Sequence, residues 1–188
     1  MTFTRENVIT IAVIGFLLLA VGLYTFYSVK IANPKEQSAA SSALSLSESE
    51  GNSYTTLDGE LVDLAQYDGR VRVVNSWASW CPFCVNELPD FAKLANEYSV
   101  DEVVVLAINR KEQSSLARRY IDTLTDVKGV IFILDPSDSF YSKIGGFSMP
   151  ETIFYDKEGN ISFHKRGFMS LEEMKKHTNK ALEDSSKN

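Results

Sequence analysis

Cys81 and Cys84 are the only two cysteines of the chain, and Pro82 and Phe83 separate them. The pair follows a strand-like apolar run that ends at Asn75 and stands where a helical pattern begins. At a helix N-terminus two such sulfurs can close a small disulfide ring, and the helix dipole stabilises a Cys81 thiolate. Pro82 suits the first helical turn because its missing N–H has no intrahelical partner. The pattern therefore predicts thiol–disulfide exchange.

Three other uses of this cysteine pair compete with redox chemistry. A zinc site needs two further ligands, but there is no third cysteine, and His164 and His177 lack ligand spacing. A purely structural disulfide over so short a loop stabilises little. A soft copper site stays open as an alternative. We expect a site without a metal and without a cofactor.

The elements that must position the pair alternate between strands and helices. Residues 71–75, 103–108 and 131–134 are β-branched apolar runs, typical of strands buried on both faces. Helical patterns occupy residues 84–98 and about 113–124. The apolar stripe of the first helix comprises Val85, Leu88, Phe91, Leu94 and Tyr98. This alternation predicts parallel β-α-β crossovers.

Two hairpins and a last helix complete the expected domain. Asp58 and Gly59 form the predicted turn of a hairpin over residues 54–62, and a second antiparallel hairpin is predicted over residues 152–164. Ser170, followed three residues later by Glu173, predicts the capped start of a helix that runs to about Leu182. The fold class expected is α/β, with a mixed central sheet and helices on both faces.

Composition divides the chain into four segments. After a short tail, residues 1–7, the run from 8 to 29 carries no charge. As a helix rising about 1.5 Å per residue it covers roughly 33 Å, enough for a hydrocarbon core of about 30 Å. A cleaved signal peptide is the alternative, but its apolar core is usually only about 7 to 15 residues. Residues 30–52, rich in serine, alanine and glutamate, predict a flexible stalk, and residues 53–188 one globular domain.

Charge gives two further indications. The formal net charge of −6 and the absence of a basic stripe argue against nucleic acid as a partner. Arg5 precedes the predicted anchor, whereas Lys30 and Lys35 follow it, so the positive-inside rule does not decide the orientation. The predicted partner of the N-terminal segment is the lipid bilayer.

Two separated motifs resemble those of one family. Residues 73–84 read VVNSWASWCPFC, with Glu87, Leu88 and Pro89 after them, and residues 148–156 read SMPETIFYD. Together, over about residues 53–182, they resemble the membrane-anchored thioredoxin-like thiol:disulfide oxidoreductases of the TlpA, ResA and DsbE/CcmG group. The resemblance implies a thioredoxin-like fold behind a single transmembrane helix.

The resemblance also assigns roles to individual residues. It implies that Cys81 is the attacking nucleophile and Cys84 the resolving thiol of a redox-active disulfide. Pro150 would be the cis-proline beside them, and Met149 would offer its backbone polar groups to a substrate strand. The alternative is that Pro150 only begins an edge strand.

Three more positions follow from the same comparison. Trp80 and Pro82 complete the substrate-contact surface that the family implies. Glu87 stands where the family has a partly buried acid that tunes the thiols, although most glutamates on helices are simply solvated. Asn75 replaces the buried aspartate of cytoplasmic thioredoxins, which leaves Glu87 as the acid candidate.

The function that the resemblance implies is reduction of disulfides in exported proteins by a domain outside the cytoplasm, on the periplasmic or extracellular side. Oxidised apocytochrome c would be a candidate substrate, and a membrane carrier of the CcdA/DsbD type would supply electrons. The alternatives are a DsbA-like thiol oxidase and a non-catalytic copper-binding or copper-delivery module.

Overall fold

The computed structural model describes residues 15, 17–24 and 53–186, in two separate units. Residues 15 and 17–24 are helical and exposed. No helix within the described ranges is both long and apolar enough to cross a bilayer. The predicted tail and stalk and most of the predicted anchor lie outside the described residues, so these three assignments stay predictions.

Residues 53–186 fold around one mixed sheet of seven strands. The strands are β1 (Ser53–Thr56), β2 (Leu61–Asp63), β3 (Val71–Trp77), β4 (Val103–Arg110), β5 (Val130–Asp135), β6 (Glu151–Tyr155) and β7 (Ile161–Arg166). The helices are a 3-10 helix (Leu64–Tyr67), α1 (Pro82–Glu97), α2 (Ser114–Ile121), α3 (Ser139–Lys143) and α4 (Leu171–Ser185). The strand order is β2-β1-β5-β4-β3-β6-β7.

The pairing of the strands confirms the predicted crossovers and hairpins. β3, β4 and β5 are parallel, whereas β1 pairs with β2 and β5, and β6 with β3 and β7, in antiparallel fashion. Gly59 takes the left-handed conformation (φ 87°) that the first hairpin turn requires. Ser170 caps α4, its Oγ accepting the N–H of Glu173 at 3.3 Å.

Helices cover both faces of the sheet, as predicted. Val73 of β3 and Val105 of β4 face α1 and α4, whereas the next residue on each strand, Val74 and Leu106, faces the side covered by α3. Ala117 of α2 packs beside the cysteines. The two faces alternate because successive strand side chains point in opposite directions.

The structure corrects some of the expected detail. α1 begins at Pro82 because Cys81 caps it, and Val85 and Tyr98 are only half-buried. Its buried positions are Cys84, Glu87, Leu88, Phe91, Ala92 and Leu94. β5 is buried only at Ile133 and Asp135, and Val130 to Phe132 line a groove that residues 124–129 also line. α2 is shorter than predicted at both ends, and no sequence pattern predicted α3 or the 3-10 helix.

Candidate active site

The cysteine pair lies at the junction of β3 and α1. β3 ends at Trp77, and Cys81 is the N-cap of α1, its Sγ accepting the backbone N–H of Cys84 at 3.2 Å. Pro82 occupies the first turn, as expected from its missing N–H. The two sulfurs are joined as a disulfide. Strand and helix thus hold the pair at an end of the sheet.

Exposure differs sharply around the disulfide. Cys81 is 4% exposed and Cys84 is fully buried, whereas the adjoining Trp80 and Phe83 are 63% and 61% exposed. Pro82 is exposed as well. Trp77, in contrast, is buried and packs its ring against those of Tyr120 and Phe132. Trp80, Pro82 and Phe83 therefore form a solvent-facing rim beside a nearly buried sulfur.

The loop before β6 packs against the hydrophobic cluster that contains the cysteines. The peptide bond between Met149 and Pro150 is cis, and β6 follows it between β3 and β7, so this proline does not begin an edge strand. Ser76 of β3 is the register partner of Glu151, and Met149 packs against the cluster that holds Trp77 and both cysteines. Within the described part of the chain, the Met149 backbone makes no hydrogen bond. An extended substrate could therefore pair with it.

Glu87 is a fully buried acid one helical turn after Cys84. The backbone N–H of Met169 donates to its Oε1, while Oε2 has no hydrogen-bond partner among the described residues. Burial raises the pKa of Glu87 to about 8, outweighing the Met169 hydrogen bond that lowers it. The carboxyl is therefore largely protonated at pH 7. Glu87 is therefore not a solvated surface acid, and at neutral pH it holds a proton.

A second acid, Glu112, fixes the segment just before the cysteines. Its Oε2 accepts the backbone N–H of Ser79 at 2.8 Å and the Asn109 amide at 2.6 Å, and its Oε1 accepts the Ser79 hydroxyl at 2.5 Å. Sequence reasoning missed Glu112, which lies 33 positions from Ser79. The only available signal was its place just after a buried parallel strand, at the edge where β3 also ends.

A third acid, Glu151, follows the cis-proline and is fully buried. Its Oε1 accepts the N–H groups of Phe147 and Ser148 at 2.6 and 2.8 Å, and its Oε2 lies 2.9 Å from His164 Nε2. The sequence showed Glu151 as part of the second motif but not that it binds the loop. No group of three or more His, Cys, Asp or Glu side chains within the described ranges is arranged to hold a metal ion.

Comparison with known proteins agrees with this geometry. The family model described as Redoxin matches residues 38–182, most of the chain. The chain belongs to the Redoxin family. Thiol-disulfide oxidoreductase ResA of Halalkalibacterium halodurans is 27% identical over 80% of this chain and 81% of that protein. Thiol:disulfide interchange protein DsbE of Allochromatium vinosum is 35% identical over 52% of this chain and 51% of its own length.

A solved structure shows the same architecture in this Redoxin domain. The exposed lipoprotein thioredoxin of Streptococcus pneumoniae superimposes with a TM-score of 0.60 at 30% identity, over 68% of this chain and 96% of that one. The thioredoxin-like fold predicted from the two motifs is confirmed. With its Cys-x-x-Cys pair, the chain is a thiol-disulfide oxidoreductase of the ResA/DsbE type.

The Redoxin fold places the predicted site residues on α1, on the segment before it and on the loop before β6. The cysteines, Trp80 and Pro82 come from the junction of β3 and α1, and Met149 and Pro150 approach from the loop before β6. Glu87 comes from the buried face of α1.

Proposed function

We propose that this oxidoreductase is a membrane-anchored, extracytoplasmic reductant of disulfides in exported proteins. The observation that carries the proposal is the contact of Met149, whose backbone is unpaired, with the cluster holding Cys81 and Cys84. A substrate segment paired at Met149 would present its disulfide to Cys81, which is slightly exposed, whereas Cys84 is fully buried. Cys81 is then the nucleophile and Cys84 the resolving thiol.

The exchange balances in two steps. In the reduced protein the Cys81 thiolate attacks one sulfur of the substrate disulfide, forming a mixed disulfide and releasing the first substrate thiolate. The Cys84 thiolate then attacks the Cys81 sulfur, closes the internal disulfide and releases the second substrate thiolate. Two electrons pass to the substrate, and a dithiol donor must return them. A membrane carrier of the CcdA/DsbD type fits the proposed location.

Glu87 supplies a proton-holding group to this cycle. Its carboxyl lies one turn beyond Cys84 in the protein interior, where water does not readily exchange protons. With a pKa of about 8, it is protonated at neutral pH yet able to ionise close to the range in which thiols titrate. We assign it to proton exchange with Cys84 as the internal disulfide opens and closes.

The surroundings of the sulfurs favour reduction over oxidation. Among the described residues, the hydrogen bond to Cys81 Sγ comes from the Cys84 backbone N–H, and Phe83 offers neither a donor nor a charge. A disulfide becomes strongly oxidising when its reduced form is specially stabilised. A reduction potential measured in glutathione buffers should lie well below that of DsbA, and a value near about −120 mV would identify an oxidase instead.

The names of relatives support the location and substrate class. ResA and DsbE are named as thiol-disulfide proteins, and the pneumococcal protein is named an exposed lipoprotein. The uncharged run over residues 8–29 supplies a segment of spanning length. Oxidised haem-binding cysteines of apocytochrome c are the substrate that we propose on the strength of the family resemblance.

Mixed-disulfide trapping in intact cells tests the proposal. Cys84→Ser in the full chain should accumulate disulfide-linked adducts, because the resolving thiol is gone, and mass spectrometry should identify exported proteins in them. Cys81→Ser is the matched control and should form none. Adducts formed by Cys81→Ser alone would reverse the two roles, and adducts with cytoplasmic proteins alone would contradict the location.

The orientation has a separate readout. After mild reduction of intact cells, a membrane-impermeant thiol reagent should label Cys81 without lysis. Labelling that requires lysis would place the domain in the cytoplasm.

A further inference from the structure

Glu151 is a buried carboxylate whose hydrogen bonds are directed at the loop before β6. It accepts both N–H groups of Phe147 and Ser148, while Arg166 Nε lies 3.7 Å from the same oxygen. His164 of β7 contacts the other oxygen. A buried carboxylate needs such partners, because an unpaired one is costly to bury.

The other side of the loop is held independently. The Tyr141 hydroxyl donates to the carbonyl of Ser148 at 2.7 Å. The Tyr141 ring is itself fixed, because the Arg110 guanidinium lies 3.2 Å from its centroid and Asp138 binds that guanidinium through two contacts of 2.6 Å. Both backbone polar groups of Ser148 are therefore occupied by side chains.

The same arrangement leaves the backbone of Met149, the next residue, without a hydrogen-bond partner among the described residues. The Pro150 carbonyl accepts the N–H of Gly167 at 2.8 Å, so Met149 lies between two residues whose backbones are fixed. Its own N–H and C=O have no partner among residues 53–186. The Phe147 side chain, 83% exposed, stands on this fixed backbone. Hydrogen bonds thus hold the backbones of Phe147, Ser148 and Pro150, and the Met149 backbone between them is available to a substrate.

We propose that Glu151 is a positioning residue that fixes residues 147–149 so that the Met149 backbone is presented to the substrate strand. This inference rests on the proposed function, since it concerns the binding step of the same site. The Glu151 carboxylate does not touch the reacting sulfurs in this role. It acts through two N–H groups, and its effect is confined to substrates that pair with the backbone.

The test compares two disulfides that differ in this respect. One is a peptide with an internal disulfide flanked by extended residues, and the other is dithiobis(nitrobenzoate), a small aromatic disulfide without a peptide backbone. In the reduced full chain, Glu151→Leu should lower the rate constant for the peptide roughly 10-fold to 100-fold, as expected for a misplaced binding group. The rate constant for the small disulfide should stay within about twofold.

Matched variants separate positioning from general damage. Glu151→Gln keeps one acceptor oxygen and should recover most of the peptide rate, and Tyr141→Phe should lower it in the same selective way. Glu158→Leu, on the exposed turn at the far end of β6, should leave both rates unchanged. An equal loss with both disulfides, or no loss with the peptide, overturns the inference. If Glu151→Leu does not fold, the Tyr141→Phe result decides.

A structural readout keeps the inference distinct from the proposed function. If the unmodified protein reduces neither disulfide, the proposed function fails on its own. Amide hydrogen exchange of Phe147 and Ser148 then decides the positioning role. Exchange should be at least about tenfold faster in Glu151→Leu than in the unmodified protein, because both N–H groups lose their acceptor. Unchanged exchange overturns it.

Discussion

Replacing Glu87 by glutamine should make the oxidised protein more stable at alkaline pH and, because the amide leaves its N–H₂ unpaired, about 1–3 kcal/mol less stable at acid pH. The side chain is fully buried, and its pKa rises from 4.5 to about 8 mainly because burial disfavours the ionised form. Glutamine has the same shape, keeps an acceptor for the Met169 N–H and cannot ionise. The change therefore removes the cost of burying a charge.

The size and sign of the effect follow from proton linkage. Between pH 4.5 and pH 8 the unfolded chain has lost the Glu87 proton while the folded chain keeps it, so the free energy of unfolding falls as pH rises. At about 1.4 kcal/mol per pH unit, the loss is roughly 3 kcal/mol at pH 7 and as much as about 5 kcal/mol above pH 8. Glu87→Gln should abolish this slope. An unpaired amide N–H₂ offsets the gain by about 1–3 kcal/mol at every pH.

Urea unfolding of the oxidised protein from pH 4.5 to pH 8.5 measures this difference. Trp77 and Trp80, both beside the disulfide, provide the fluorescence signal, and the intact disulfide keeps thiol ionisation out of the comparison. Other titrating groups are common to both proteins and cancel. Glu158→Gln, at an exposed turn, is the matched control and should follow the unmodified protein. A difference that does not grow with pH refutes the raised pKa and with it the proton-holding role.

Two further predictions concern Glu112, which binds the segment before the cysteines, and Phe83, which lies between them. Glu112→Gln should lower the free energy of unfolding at pH 7 by about 1–2 kcal/mol, because the hydrogen bonds from Ser79 and Asn109 lose a charged acceptor. Urea unfolding measures this difference, with Glu158→Gln as the control. Phe83→His should raise the reduction potential by at least about 30 mV, because a protonatable donor beside Cys81 stabilises the thiolate. Equilibration with glutathione at pH 6 and pH 8 measures the potential, and a shift of the same size at both pH values would contradict a charge effect.

The structural features that the sequence predicted correctly are determined by residues close together in the chain. Pro82 lies in the first turn of α1, as its missing N–H indicated, and Gly59 lies in the predicted turn of the first hairpin. The parallel strands β3 and β4 were visible because strands buried on both faces need continuous β-branched runs. These signals lie within a few positions of the feature that they predict, so one sequence suffices to find them.

The structural features that the sequence could not show are determined by contacts between residues that are far apart in the chain. The family resemblance marked Glu87 as the candidate acid, but it did not show the Met169 backbone, 82 positions away, that donates a hydrogen bond to it. α3 has only five residues, and its N-cap, Asp138, has a left-handed backbone and makes no capping bond. Asp135 at the end of β5 accepts the N–H groups of Ser139 and Phe140, and Arg110 on β4 binds the Asp138 carboxylate and keeps its pKa below the usual value. No local pattern records that pairing.

Glu87, Glu112 and Glu151 differ in how many hydrogen bonds each accepts, and this difference separates a proton-holding acid from structural ones. Glu112 and Glu151 each accept two or more hydrogen bonds from the protein, and both oxygens of each carboxylate have a partner. Such carboxylates hold a loop in place, and losing their charge weakens it. Glu87 accepts one N–H and leaves its second oxygen without a partner, so burial dominates its pKa. At pH 8 the same carboxylate-to-amide change should therefore stabilise the protein at Glu87 and destabilise it at Glu112. Equal signs at the two positions would show that donor count does not separate the proton-holding acid from the structural ones.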